Sequence, residues 1–444
     1  MFSFKKKLII DLKKINTLDR KTPPRIHEVT SLTLPYPSVS HLDNGIPVYE
    51  TRSGTQEIMK IEVVFLSGRP HEHKRLVSRS TARMLREGTK SYNAAELAEQ
   101  VDFYAGTLQT PVNLDTGGIV LYCMTKHFPK LAPILAEILL EPTFPEKELT
   151  TYTENNIQSL LVELSKNDVL AYRKITEIIF GENHPYGYNS TPDDYRALTR
   201  TDLIKHHQEH FTPDNCLIFL SGKTDDSILK LVNQYLGQTK NSAGFVPRKD
   251  NNSPLSMSSQ KPQKLKVKNA DTLQTAIRIG RQFGNRNNPD FNSFYVLNTI
   301  FGGYFSSRLM TNIREKKGYT YNIYSALDLM HHDGYFYISS EVGNRFVKKA
   351  LTEIYLEMEK MQNEPVSAEE LKMVQNYLLG NMLNMVDGPF AVSDVIKSFI
   401  TEGVELSHFQ QFVEKIRSIT PQEIQALAQK YFNREDMFEV IVGV

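Results

Sequence analysis

The chain repeats itself. Thr199-Arg200-Thr201-Asp202-Leu203 through Phe211 to Ser221-Gly222 aligns without gaps on Thr420-Pro421-Gln422-Glu423-Ile424 through Phe432 to Val442-Gly443, at a constant offset of 221 residues. Phe144-Pro145-Glu146-Lys147-Glu148-Leu149 pairs with Val366-Ser367-Ala368-Glu369-Glu370-Leu371 at nearly the same offset. The offset is about half of the 444 residues, so the pattern predicts one duplicated unit, and copies this long make two domains rather than a solenoid.

Between the copies, residues 238–264 are rich in Ser, Asn, Pro and Lys and poor in large apolar side chains, the composition of a linker that cannot bury enough surface to fold. The expected division is a basic extension over 1–30, a first domain over 31–237, the linker over 238–264 and a second domain over 265–444. Each half mixes the two periodicities. The β-branched run Ile61 to Leu66 and the aromatic run Tyr335-Phe336-Tyr337-Ile338 predict strands. Leu131, Ile134, Leu135 and Ile138 stand at helical spacing, and Glu353 to Met361 reads as a second helix. Asp43-Asn44-Gly45 and Asp333-Gly334 are turn signals. The mixture predicts an α+β chain.

Composition excludes several classes. A hydrophobic content of 40%, 23% charged residues and a net charge of +1 describe a chain able to bury two cores with no electrostatic bias toward nucleic acid. Lys5, Lys6, Lys7, Lys13 and Lys14 make the start basic, but its apolar run Leu8-Ile9-Ile10 stops at Asp11, too short for a signal peptide or a membrane span. Cys123 and Cys216 form no metal or redox spacing, which fits a reducing compartment, and a cytoplasmic protein is expected.

The stretch Phe301 to Tyr321, FGGYFSSRLMTNIREKKGYTY, is the most specific motif. It resembles the second-half signature of the insulinase/pitrilysin zinc metallopeptidases: Gly-Gly, then Ser-Ser-Arg-Leu, then Arg-Glu-Lys-x-Gly-x-x-Tyr. The resemblance extends to Phe65-Leu66-Ser67-Gly68-Arg69, similar to the strand before the family's zinc helix, and to Met84-Leu85-Arg86-Glu87-Gly88-Thr89, similar to that helix's end. Such a resemblance implies two duplicated α/β sandwich domains of the metallohydrolase-like type, forming half of a clamshell. His184-Pro185-Tyr186-Gly187 also resembles a family landmark and is read as structural.

The first half departs from the family's His-x-x-Glu-His. Counting back from Gly88-Thr89 puts the first His on Arg79, the Glu on Ala82 and the second His on Arg83. Guanidinium offers no lone pair to zinc and stays protonated, and Ala82 cannot act as a base. The third ligand, a glutamate, should fall within Gln158 to Leu161, which holds no acid; Glu163 is close by. No cofactor is therefore expected on this chain. A literal H-x-x-E-H does occur at His206-His207-Gln208-Glu209-His210, with His206 and His210 one helical turn apart. It sits where the family has a structural helix, no glutamate follows before Glu315, and the equivalent segment of the second copy, Leu427-Ala428-Gln429-Lys430-Tyr431, is an ordinary packing helix, so a structural reading is preferred.

In the family, some members divide labour between a zinc-bearing chain and one carrying the Arg/Tyr motif. The resemblance implies that this chain is of the second kind. Arg314 and Tyr321 would contact a peptide at the zinc of a homologous partner with an intact His-x-x-Glu-His. A phenol or guanidinium aimed at the developing oxyanion stabilises the transition state beyond the ground state. Locally, Ser306 or Ser307 should cap a helix from about Arg308 to Lys317, with Leu309 and Ile313 buried and Gly318 ending it in a left-handed turn. Two alternatives stay open: a catalytically silent peptide-binding or structural subunit, and an autonomous zinc protease using His206, Glu209 and His210.

Overall fold

Two antiparallel-dominated sheets organise the chain, which is seen here in a computed structural model describing residues 28–238, 260–269 and 272–443. The first 27 residues of the predicted extension and residues 239–259 of the predicted linker lie outside the described residues. The first sheet contains β1 (Ser38–His41), β2 (Pro47–Arg52), β3 (Ile58–Phe65), β4 (Thr107–Gln109), β5 (Gly117–Met124) and β6 (Cys216–Gly222), in the order β1-β2-β6-β3-β5-β4. The second contains β7 (Lys264–Lys268), β8 (Gln274–Gln282), β9 (Thr320–Leu329), β10 (Gly334–Gly343) and β11 (Phe438–Gly443), in the order β7-β11-β8-β10-β9.

Leaving β1 aside, the two orders are the same. A parallel pair, β2 with β6 or β7 with β11, is followed by three antiparallel neighbours. Ile61 faces Leu220 in one sheet as Ile277 faces Ile441 in the other. The repeated Thr-x-x-Asp/Glu has a local cause. Thr199 Oγ accepts the Asp202 N–H and Thr420 Oγ accepts the Glu423 N–H, both at 3.2 Å, so each copy caps the helix before its last strand in the same way. Asp43-Asn44-Gly45 joins β1 to β2, and Asp333-Gly334 opens β10 after β9.

Strand alternation gives each sheet two different faces. Ile61, Val63, Ile119, Leu121, Ile218 and Leu220 bury against the first half's own helices, among them Phe128–Leu140 and Val77–Met84. In the second sheet Phe336 meets Phe294 and Phe432, with ring centroids 5.4 and 5.6 Å apart. The opposite faces are covered reciprocally. Ala171, Ile175, Ile179 and Phe180 of the Asn167–Phe180 helix pack on Ala276, Val440 and Val442 of the second sheet. The Pro389–Thr401 helix of the second half lies on the first sheet, where Phe390 meets Tyr122 edge-on at 5.7 Å.

That exchange explains two charges in the middle of an apolar strand. Lys60 and Glu62 are 1% and 3% exposed. Lys60 Nζ donates to Asp394 at 2.7 Å and Lys397 Nζ donates to Glu62 at 2.8 Å, both across the junction between the halves. Lys60 Nζ also lies 3.5 Å from Glu62, so the four charges form one network across that junction. With each sheet covered by a helix from the other half, Leu32–Val444 clusters as one compact unit.

Candidate functional site

The Phe301–Tyr321 signature folds as a loop, a wide-turn helix and the start of an edge strand. Gly302 sits where a Cβ would come within 2.4 Å of Ser325 Oγ and 2.6 Å of Ser325 N, so only glycine lets the Thr299–Gly303 turn approach β9 this closely. Ser307 then starts the next helix, its hydroxyl 3.5 Å from the Met310 N–H and its carbonyl accepting the Thr311 N–H at 2.9 Å. Over Met310–Lys316 the turns widen to an i to i+5 pattern, a form that concentrates at functional positions. Gly318, at φ +65°, ends the helix: the Tyr319 N–H returns to Ile313 O at 3.1 Å and the Gly318 N–H to Arg314 O at 3.0 Å, a left-handed cap.

Three tethers fix this helix on its inner side. Arg308 donates through Nε and Nη2 to both oxygens of Glu370, at 2.9 and 2.8 Å, and Asn312 Nδ2 donates to Glu353 and Glu357, each at 2.9 Å. Leu309 and Ile313 are fully buried. Arg314, pointing the other way, makes no ion pair or side-chain hydrogen bond among the described residues. Its guanidinium instead lies between two rings, 4.7 Å from the Phe305 centroid and 5.3 Å from that of Tyr321. A guanidinium on an aromatic face gains about 0.5–1 kcal/mol at exposed sites.

Tyr321 is 83% exposed although simple alternation along β9 would put it on the inward face with Ile323 and Ser325. The pairing explains this. Val342 faces Thr320 and Ser340 faces Ile323, so Tyr321 and Asn322 together oppose Glu341. This is a β-bulge, the device that re-aims a side chain at a sheet edge. The Thr320 hydroxyl holds it, 2.9 Å from Asn322 O and 2.6 Å from Glu341 O, and Ser340 Oγ donates to Asn322 O at 2.9 Å. The structure thus brings Arg314 and Tyr321 together and adds Phe305, 62% exposed, which the sequence reading missed because a phenylalanine in an apolar run reads as core. The arrangement presents one cationic fork and one phenol to solvent, groups suited to an oxyanion or a peptide carbonyl.

The positions aligned with the zinc ligands lie on the Val77–Met84 helix. Arg79 and Arg83 are exposed on one face and Ala82 is wholly buried, where a Cβ on Gly117 of β5 would come within 2.9 Å of its own. Glu163, the one acid near the expected third ligand, ends the Glu146–Glu163 helix and pairs with Lys166 at 2.6 Å. Among the described residues no group of three or more His, Cys, Asp or Glu is arranged to hold a metal ion.

The literal H-x-x-E-H is folded inward. His206 is 0% exposed, and its Nε2 lies 3.0 Å from Ser67 O, which makes that nitrogen the N–H donor; its Nδ1 is buried with no hydrogen-bond partner. Burial first, then the neighbouring His210, whose ring is 4.7 Å away, push the His206 pKa down to about 3. Glu209 is exposed, away from this buried pair. His184-Pro185-Tyr186-Gly187 is a tether: Arg69 donates to Pro185 O and Tyr188 O at 3.1 and 3.0 Å, and the Tyr186 phenol donates to Asp115. Cys123 and Cys216 are buried and free, the Cys123 thiol pushed up to about 12 by burial.

The sequence profile described as Peptidase M16 inactive domain matches residues 197–378, the stretch that carries Arg314 and Tyr321. Along most of its length the chain is also 21% identical to an uncharacterized zinc protease, YmxG, of Bacillus subtilis, covering 88% of this chain and 95% of that protein. Residues 197–378 thus match the M16 peptidases, the insulinase/pitrilysin family. The chain is also similar to a protein of Helicobacter pylori named non-peptidase homolog YmxG, 23% identical over 82% of this chain and 83% of that one. The fold agrees: the crystal structure of a peptidase M16 inactive domain from Pseudomonas fluorescens superposes with a TM-score of 0.82, at 19% identity, over 92% of this chain and 98% of that one. The stretch 197–378 is thus similar to the inactive type of M16 domain, and among the described residues no helix is long and apolar enough to cross a membrane.

One expected result follows from the ligand positions. Elemental analysis of the purified, dialysed chain should find zinc far below one equivalent, unchanged by His206→Ala. Stoichiometric zinc that disappears with that substitution would restore the autonomous-protease reading.

Proposed function

We propose that this chain is the zinc-free subunit of a heteromeric M16 metallopeptidase, completing the active site of a homologous chain that carries zinc. The observation that carries the proposal is the stack of half-buried Arg314 between the exposed rings of Phe305 and Tyr321. Arg314 has no carboxylate partner among the described residues and the bulge turns the Tyr321 phenol outward, so both groups keep donors available to a ligand. Arg314 and Tyr321 take the catalytic role, donating hydrogen bonds to the peptide carbonyl as charge develops on its oxygen at the partner's metal. Phe305 positions Arg314. The peptide is the substrate, Arg79, Ala82 and Arg83 are the remnants of the zinc motif, and the two sheet-centred halves are duplicated domains divided near 238–264. Buried, unpaired Cys123 and Cys216 support a cytoplasmic location.

The Glu209 exposure and the committed Nε2 of His206 disfavour the autonomous protease. A silent peptide-binding subunit keeps the same clamp without turnover. Affinity capture of the full chain from its native cell tests the pairing. The expected result is recovery of a homologous chain with an intact His-x-x-Glu-His in near-equal amount; the chain emerging alone, or only with itself, would contradict it.

A further inference from the structure

Of the seventeen arginines among the described residues, fourteen make an ion pair, a hydrogen bond or a ring contact through their side chains and Arg417 also has a partner; Arg79 and Arg83 make no such contact. They stand at i and i+4 on an eight-residue helix, both exposed, so their Cβ atoms are about 6 Å apart and their like charges oppose helix formation by about 0.2–0.5 kcal/mol. Among the described residues no acidic side chain pairs with either guanidinium to offset that repulsion. A local rule broken without a compensating contact points to a functional position.

A third donor lies beside them. Tyr152, on the Glu146–Glu163 helix, places its hydroxyl 3.3 Å from Ser80 Oγ, between the two arginines in sequence. Burial raises the phenol's pKa, and both Arg79 and Arg83 act against that rise, which puts the phenol within their field while it keeps its proton. Two guanidinium forks and a phenol, with no carboxylate against the forks, are donors without an acceptor. Guanidinium binds carboxylate through two parallel hydrogen bonds, a geometry an ammonium cannot reproduce.

We propose that Arg79, Arg83 and Tyr152 form a binding site for a peptide carboxylate, either a chain's C-terminus or an acidic side chain. The site takes its ligand class from the reading of this chain as a peptide-handling subunit, but it lies wholly on this chain. It can therefore be present or absent whether or not a partner's activity is restored.

Calorimetric titration of the isolated full-length chain tests it, using unlabelled peptides of one length with a free or amidated C-terminus and with glutamate or glutamine side chains. The expected result is that removing the recognised carboxylate weakens binding about tenfold or more. The C-terminal and side-chain comparisons show which carboxylate is used. The double variant Arg79→Gln/Arg83→Gln, at exposed positions, should fold as wild type and lose the difference. Arg86→Gln, whose guanidinium is spent on Glu87 at 3.5 Å, should retain it. Equal affinity for all four peptides, no binding of any, or a preference that survives in the double variant would overturn the site.

Discussion

Replacing Tyr321 by Phe should lower turnover of the assembled peptidase by about 10²- to 10³-fold while leaving assembly intact, the usual loss when one oxyanion donor is removed. The substitution is clean for a structural reason. The Tyr321 ring is 83% exposed and the bulge that aims it is held by Thr320 and Ser340, so deleting the hydroxyl removes a donor and leaves the pairing of β9 unchanged. If the phenol acts in the transition state, kcat and kcat/KM fall together, whereas a rise in KM alone would assign it to substrate positioning. Arg314→Lys should also be impaired, because it keeps the charge and loses both the fork and the stacking on Phe305. Wild-type kinetics in a correctly assembled Tyr321→Phe complex would remove the phenol from the mechanism.

The second large effect is on stability. His206 is neutral in the fold, its pKa pushed down to about 3 by burial and by His210, while in the unfolded chain it titrates near its ordinary value of about 6.5. Its contribution is therefore fully present above about pH 6.5 and is lost as pH falls toward 3, because the unfolded state takes up a proton that the folded state refuses. His207 shifts in the same direction, again through burial. Chemical denaturation of wild type and His206→Gln across pH 7.5 to 4.5 isolates this residue. The stability difference between them should change by about 1.4 kcal/mol per pH unit below pH 6, with wild type losing ground. A difference independent of pH would mean that His206 is protonated in the fold or open to solvent.

The sequence made some of this legible and hid the rest for identifiable reasons. Arg314 and Tyr321 could be named because the Phe301–Tyr321 stretch resembles the family's signature, and the helix that carries Arg314 ends at Gly318 in the left-handed turn its glycine signals. The bulge beneath Tyr321 could not be read, since it exists only in the pairing of β9 with β10 across some twenty residues. Phe305 was hidden because composition treats every phenylalanine as core, and only the folded chain shows it stacked on Arg314 at the surface. The exchange of helices between the halves left one overlooked trace. Lys60 and Glu62 interrupt an apolar strand on alternate positions, a pattern that calls for a polar partner on the second face, and Asp394 and Lys397 supply it from more than three hundred residues away. His206 and His210 do share a face as their spacing requires, but spacing does not say whether that face looks into a cleft or into the core.

The central claim is that this chain contributes catalytic groups to a zinc site on another chain. Peptidase assay of the purified chain, of a homologous chain bearing His-x-x-Glu-His, and of the two mixed tests it most directly. The account predicts that neither chain alone cleaves peptide appreciably and that the mixture does. A partner fully active by itself, with rate and specificity unchanged on addition of this chain, would contradict it.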